Sequence, residues 1–207
     1  MSASQRCVWT VGNSNHHIDV LLELLAGQGI TAVADVRSSP FSRLAPQFNR
    51  ENLAASLRAV GIQYVFLGQQ LGARPQDPGC YVEGRVQYSR LAELPTFHAG
   101  IERVLGGAQR FRLALMCAEK DPLDCHRTIL IARELVARGV VVKHILADGS
   151  IEDHEFSMLR LLDSLRLPRQ DLFRSFQQIV ADGLARQEAR IAFVEEGPEA
   201  DQGRSST

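Results

Sequence analysis

Eight side chains with chemical capacity fall between Cys117 and Arg127: Cys117, Glu119, Lys120, Asp121, Asp124, Cys125, His126 and Arg127. Three kinds of chemistry fit that set. A thiol near a helix N-terminus and an arginine favours its thiolate and can act as a nucleophile. Thiol, imidazole and carboxylate together are competent ligands for zinc or iron, with His144 as a further candidate. The third role is structural, with the cysteines packed and His126 and Arg127 clamping loops. Phosphatase and rhodanese loops place an arginine five residues after the cysteine, and neither cysteine here has one. The eight-residue spacing between the cysteines matches no common zinc pattern, so no metal ligand is assigned from spacing. Glu119 is the best acid–base candidate, because burial beside a sheet end raises a carboxyl pKa. His16, His17, His98 and His154 read as surface or capping residues.

The cluster must be held by the elements around it. Phe111 to Met116 is apolar and strand-like, and an apolar helix pattern follows Thr128. Upstream, Cys7–Val11, Ile30–Val36 and Ile62–Leu67 read as strands, and Val140–Leu146 as a fifth. Between them, Ile18, Leu21, Leu22 and Leu25 fall on one helical face, as do Leu53, Leu57 and Val60. Ser14 or Asn15 can cap the first helix and Asn49 the second. Thr96 opens another helix that Gly106-Gly107 should end. Strands alternating with helices predict an α/β fold of three layers, Rossmann-like, around a mostly parallel sheet of about five strands.

In such a sheet, ligands sit at the strand carboxyl ends where the chain reverses direction. That brings Gly12, Asn13 and Ser14 beside Cys117, with Asp35 and Arg37 from the neighbouring strand end. Arg37 and Arg127 would then grip an anion by charge-assisted hydrogen bonds. The irregular segment from Gly68 to Pro95 carries Arg74, Tyr81, Arg85, Tyr88 and Arg90, a mixture able to hold phosphates and stack a base. Past Asp148-Gly149 the pattern is helical only, with segments at Asp153–Leu165 and from Asp171 to about Phe193, the second with Leu172, Phe176, Ile179, Val180 and Leu184 at helical spacing. The expected organisation is a core over 1–148, a helical extension over 149–196 and a disordered tail over 197–207. A homodimerisation arm is the alternative reading of these helices, and the sequence does not decide between the two.

Composition narrows the classes. The chain has 207 residues, 45% of them apolar, and a net charge of -1. That gives no global drive toward nucleic acid or a membrane surface. No apolar run reaches the roughly 20 residues of a membrane helix. The opening MSASQRCVWT has no signal-peptide hydrophobic stretch, and four cysteines in a chain of this size require no disulfide. A reducing, cytoplasmic setting is expected.

Five segments in order, TVGNSN (10–15), ADVRSSPFS (34–42), PQFN (46–49), GIQYVFLGQQLGAR (61–74) and LMCAEKDPLDCHR (115–127), closely resemble the bacterial and archaeal family called domain of unknown function 488. The resemblance spans about Val8 to Leu146, and LARQEARIAFVEE resembles the C-terminal extension of one branch. It implies a cytoplasmic α/β protein of no established activity. Its characteristic positions fall here on Gly12, Ser14, Asp35, Arg37, Pro40, Gln47, Phe48, Tyr64, Leu71, Gly72, Cys117, Glu119, Cys125, His126 and Arg127. Asn13 stands where that family commonly has histidine, and asparagine cannot shuttle a proton near neutral pH. Ala73 stands where a glycine is usual.

The sequence therefore predicts an enzyme-like pocket for an anionic, phosphate-bearing ligand, a nucleotide or nucleic acid. Cys117, Glu119, Cys125 and His126 would carry the chemistry. Gly12, Asn13, Ser14, Asp35, Arg37, Arg74, Tyr88 and Arg127 would bind. The alternatives are a non-catalytic nucleic-acid-binding module and a zinc- or iron-dependent site built from cysteine, histidine and glutamate. No cofactor can be named.

Overall fold

A computed structural model describes residues 6–195; the expected tail lies outside them. In chain order the elements are β1 (Cys7–Gly12), α1 (Ile18–Gly27), β2 (Ala32–Asp35), α2 (Arg50–Ala59), β3 (Gln63–Phe66), α3 (Gly68–Leu71), β4 (Tyr81–Val82), β5 (Arg85–Val86), α4 (Tyr88–Ala92), α5 (Pro95–Arg110) and β6 (Leu113–Cys117). A π-helical segment (Arg127–Ala132) then runs into α6 (Arg133–Ala137), followed by β7 (Val141–Ile145), β8 (Ile151–Asp153), α7 (His154–Ser164) and α8 (Phe176–Ile191).

The sheet has six strands in the order β3-β2-β6-β1-β7-β8. All neighbours pair in parallel except β8, which turns back antiparallel on β7. Side chains alternate faces along each strand. On β1 and β6, Trp9, Val11, Ala114 and Met116 pack with Leu21 and Leu25 of α1 and Leu53 and Leu57 of α2. Val8, Leu113, Leu115 and Cys117 face the other layer, with Ile101 of α5, Leu135 of α6, Leu161 of α7 and Leu184 of α8. The three-layer, mostly parallel α/β architecture is thus observed. Its strand order differs from the doubly wound dinucleotide-binding arrangement, because β6 is inserted between β1 and β2.

Several boundaries fall elsewhere than expected, for physical reasons. The backbone N–H groups of Asn13 and Ser14 donate to the carbonyls of Cys117 and Ala118. That turn is tied to β6, so α1 begins only at Ile18, with no side-chain cap. α5 runs through Gly106-Gly107 to Arg110, because packing of its apolar face outweighs two poor helix formers. The region after Asp148-Gly149 is not helical only. Asp-Gly makes a hairpin turn with Gly149 at φ 84°, and Ile151–Asp153 extends the core sheet. The last helix starts at Phe176, where Ser175 and Gln178 form a reciprocal capping box. Leu172 precedes it and is 94% exposed, not inward.

Two histidines are buried behind β1. Thr10 Oγ1 is 2.8 Å from His144 Nδ1, and His144 Nε2 is 3.1 Å from His154 Nδ1. His154, expected at the surface, is therefore a core residue opening α7. Burial pushes His154 down to about 4 and holds His144 well below its ordinary value. A histidine whose folded pKa is depressed takes its proton first in the unfolded chain. Its stabilising effect is complete above about pH 6.5 and is lost as the pH falls through about 4. Denaturant unfolding between pH 6.5 and 4 is expected to show His154→Gln losing stability less steeply than the parent, by up to about 1.4 kcal/mol per pH unit. Parallel profiles would contradict the assignment.

Candidate metal centre and its cavity

The register of the sheet sets the site. Gly12 pairs with Cys117 and Asp35 with Met116, so β1, β6 and β2 end side by side. β6 is buried at all five positions, and Cys117 is its last residue. The chain then leaves the sheet, and Asp121 caps a short 3-10 turn by accepting from the Leu123 N–H at 2.8 Å. This turn returns Cys125 and His126 to Cys117. An excursion that reads as an unusual spacing in sequence is a closed loop in space.

Ligand-competent atoms of Cys117, Glu119, Cys125 and His126 all lie within 4.8 Å of one another. His126 Nδ1 is 3.7 Å from Cys117 Sγ and 3.8 Å from Cys125 Sγ. Its other nitrogen, Nε2, sits 3.1 Å from the Val36 carbonyl oxygen, which can only accept. Nε2 therefore carries a proton directed at Val36, and Nδ1 faces both sulfurs; burial lowers the His126 pKa, but the neighbouring Cys125 outweighs it and raises it. The Cys125 thiol meets Glu119 Oε2 at 2.8 Å, and the Arg127 backbone N–H donates to Cys125 Sγ at 3.4 Å. Burial raises the Cys125 thiol, but its hydrogen bond with Cys117 and the charges of Arg127 and His126 outweigh that and hold it low. Burial and the neighbouring Cys125 push Cys117 up. Glu119 is raised by burial of its carboxyl and by Cys125. Both cysteines are free thiols.

Arg127 is fully buried. Its guanidinium donates to the carbonyls of Glu119 at 2.7 Å and Lys120 at 3.2 Å. That clamp holds the turn over Gly12, where a Cβ would run into the Glu119 carbonyl oxygen. Arg37 is likewise buried. It is paired with Asp35 (Nη2 to Oδ2, 2.6 Å; Nε to Oδ1, 2.9 Å), and it donates to the Phe48 carbonyl at 2.8 Å. The Tyr64 hydroxyl completes the group by donating to Asp35 Oδ2 at 2.9 Å.

A cavity of about 370 Å3 opens onto the cluster, lined among others by Arg37, Arg74, Tyr88, Cys117, Glu119 and His126. Another wall is formed by Ile191, the last residue of α8, and Phe193 just past it. The segment after α8 runs beside the β4–β5 hairpin. Val86 N–H donates to the Phe193 carbonyl, and Glu195 N–H to that of Gly84. α8 also grips the site directly. Glu188 accepts from the Tyr88 backbone N–H at 2.7 Å, and Gln187 Nε2 reaches the Leu123 carbonyl at 3.0 Å and Asp124 Oδ1 at 3.1 Å.

Residues 17–133, more than half of the chain, match the family model Domain of unknown function DUF488. The chain belongs to this family. Four of the five sequence motifs lie inside the match, and TVGNSN precedes it. No curated protein and no solved structure matches the chain. The metal-competent cluster of this DUF488 protein lies wholly within the matched region, whereas the wall formed by Ile191 and Phe193 lies outside it.

The four expected catalytic residues do come together. The expected binding residues divide. Arg74 and Tyr88 line the cavity, as does Arg37, though its charge is committed to Asp35. Arg127 faces carbonyls in the interior, so it is a clamp and not an anion ligand. Gly12, Asn13 and Ser14 do not line the cavity: Gly12 is covered by the Glu119 carbonyl, Asn13 is buried, and the Ser14 hydroxyl donates to Asn15 Oδ1. On the flap, the Tyr81 hydroxyl donates to the Pro75 carbonyl and Arg85 to that of Ala189. His144 is bonded within the core, apart from the cluster. Sequence reasoning missed Phe41, Phe193, Gln187 and Glu188. Nothing local marks them, because their role exists only once α8 docks. Among the described residues, no helix is long and apolar enough to cross a membrane.

Removing one partner of the buried Asp35–Arg37 pair leaves an uncompensated charge. Asp35→Ala is expected to lower unfolding free energy by about 3–5 kcal/mol, and Asp35→Ala/Arg37→Met to recover part of that loss. Denaturant titration of the three proteins reads the difference, and a double variant worse than the single would refute the pairing.

Proposed function

We propose that this protein is a metal-dependent enzyme whose centre is held by Cys117, Cys125 and His126. One observation carries the reading: His126 Nδ1 faces two sulfurs at 3.7 and 3.8 Å while its Nε2–H is fixed on a backbone carbonyl. Zinc bonds of about 2.3 Å to sulfur and 2.0–2.1 Å to nitrogen put tetrahedral donors about 3.6 Å apart. A ligating histidine nearly always donates its second nitrogen to a carbonyl or carboxylate. The charges agree. Two thiolates and a divalent ion are neutral together, and Glu119 and the buried Arg127 are of opposite sign beside them.

Catalytic zinc sites keep three protein ligands and one open position. Here the open position would face the cavity, since Cys117 and His126 line it. A metal bound there supplies Lewis acidity and an activated water. Glu119, an exposed residue whose carboxylate meets the Cys125 thiol at 2.8 Å, would accept the proton of that water and return it to a leaving group. This supports hydrolytic chemistry on a small molecule. It replaces the anion-gripping role of Arg37 and Arg127, whose guanidinium groups are engaged inside the protein.

Elemental analysis of the purified, untagged protein is expected to give about one zinc or iron per chain. Cys125→Ser and His126→Ala should reduce the content at least ten-fold, and Glu119→Gln should retain it. Metal-free protein that cannot be reconstituted, with one fast-reacting thiol, would overturn the metal reading in favour of a nucleophilic cysteine.

A further inference from the structure

The cavity walls say what sort of molecule would approach the centre. Phe41 lines the cavity and is 67% exposed, an apolar ring that the described residues leave mostly uncovered. Phe193 stands in the same cavity, held by the backbone bonds of its segment to the β4–β5 hairpin. The Arg74 guanidinium lies over the Phe193 ring at 4.3 Å from its centroid. Its backbone N–H donates to Ser38 Oγ at 3.1 Å, which ties this stack to the loop bearing Phe41. Two aromatic rings and a stacked guanidinium offer flat, preorganised surfaces. Beside apolar Ala73, Ala118 and Ile191, the lining offers Ser39 and the Asp124 carboxylate, one oxygen of which accepts from Gln187, as polar groups for the edge of a ring. A volume of about 370 Å3 is at the small end for ligand cavities. It has room for one ring-bearing group.

We propose that the cavity binds a flat heteroaromatic ring, as in a free nucleobase or nucleoside, stacked on Phe193 and Phe41 with an edge turned toward Cys117, Glu119 and His126. This rests on the metal-centre reading for its chemistry, but the binding can be measured by itself. It also revises the expectation of a nucleic-acid surface on the flap, where Tyr81 and Arg85 spend their polar groups within the chain and Tyr88 is buried. The recognising wall, Phe193, belongs to the C-terminal segment and not to the matched family region. That segment therefore acts as the specificity element of this chain.

The test uses the full chain loaded with zinc. Saturation-transfer NMR and calorimetry would compare adenosine, guanosine, cytidine and uridine with ribose 5-phosphate and inorganic phosphate as probes. At least one nucleoside is expected to bind, with its ring protons receiving the strongest saturation. Phe193→Leu, which keeps apolar bulk but removes the flat face, should weaken that binding about ten-fold, with the melting temperature and metal content unchanged. Phe41→Leu should weaken it in the same direction. Binding of ribose 5-phosphate or phosphate alone would overturn the proposal. So would nucleoside binding indifferent to both substitutions, or no nucleoside binding by protein carrying its full metal. Failure to hold metal at all would instead sink the preceding reading, and nucleoside binding would then still be measured on the metal-free chain.

Discussion

The site depends on a guanidinium that never reaches solvent. Arg127 lies inside the protein and clamps the carbonyls of Glu119 and Lys120, which fixes the turn that returns Cys125 to Cys117. Burying a cation costs several kcal/mol unless charge is supplied nearby. Carbonyl dipoles supply part of it. The thiol cluster lies beside it, and the Arg127 charge favours the thiolate form of both Cys117 and Cys125. Clamp and cluster are therefore energetically joined: each is expensive to bury without the other.

The second anchor is the hydrogen bond between His126 and the Val36 carbonyl. It crosses from the start of the π-helical segment to the end of β2, joining elements ninety residues apart. Insertion of β6 between β1 and β2 makes this crossing short. In a sheet where β1 and β2 were neighbours, the β6 turn would open next to only one of them. The strand order that departs from the dinucleotide-binding arrangement is thus what lets three strand ends contribute to one centre. π-Helical turns are frequent at functional sites, and here one carries Arg127 into the core.

Much of this was legible in the chain. Short apolar runs and period-3.6 patterns gave the layers, and the dense run from Cys117 to Arg127 marked the centre. What remained illegible was direction. A sequence states that Arg37 and Arg127 are charged, but not that one faces Asp35 and the other two backbone carbonyls. The spacing of the cysteines hid their proximity, because metal patterns are recognised from short loops and this one folds through a capped 3-10 turn. β8 was overlooked because three residues carry little periodicity, although Asp148-Gly149 announced the hairpin. The exposed Leu172 shows the opposite error: a helical spacing continued past the real start of the helix, which Ser175 and Gln178 mark by their caps.

The placement of Phe193 also bears on how the molecule is made. Every ligand-competent residue of the cluster has left the ribosome by His126, and the strands beneath it by Cys117, while the far wall of the cavity is supplied some seventy residues later. Domains begin to fold as they are synthesised. Docking of α8 then lays Ile191 and Phe193 along the opening. On the proposed metal reading, the donor set is thus complete in the chain well before these two residues of the cavity wall are made.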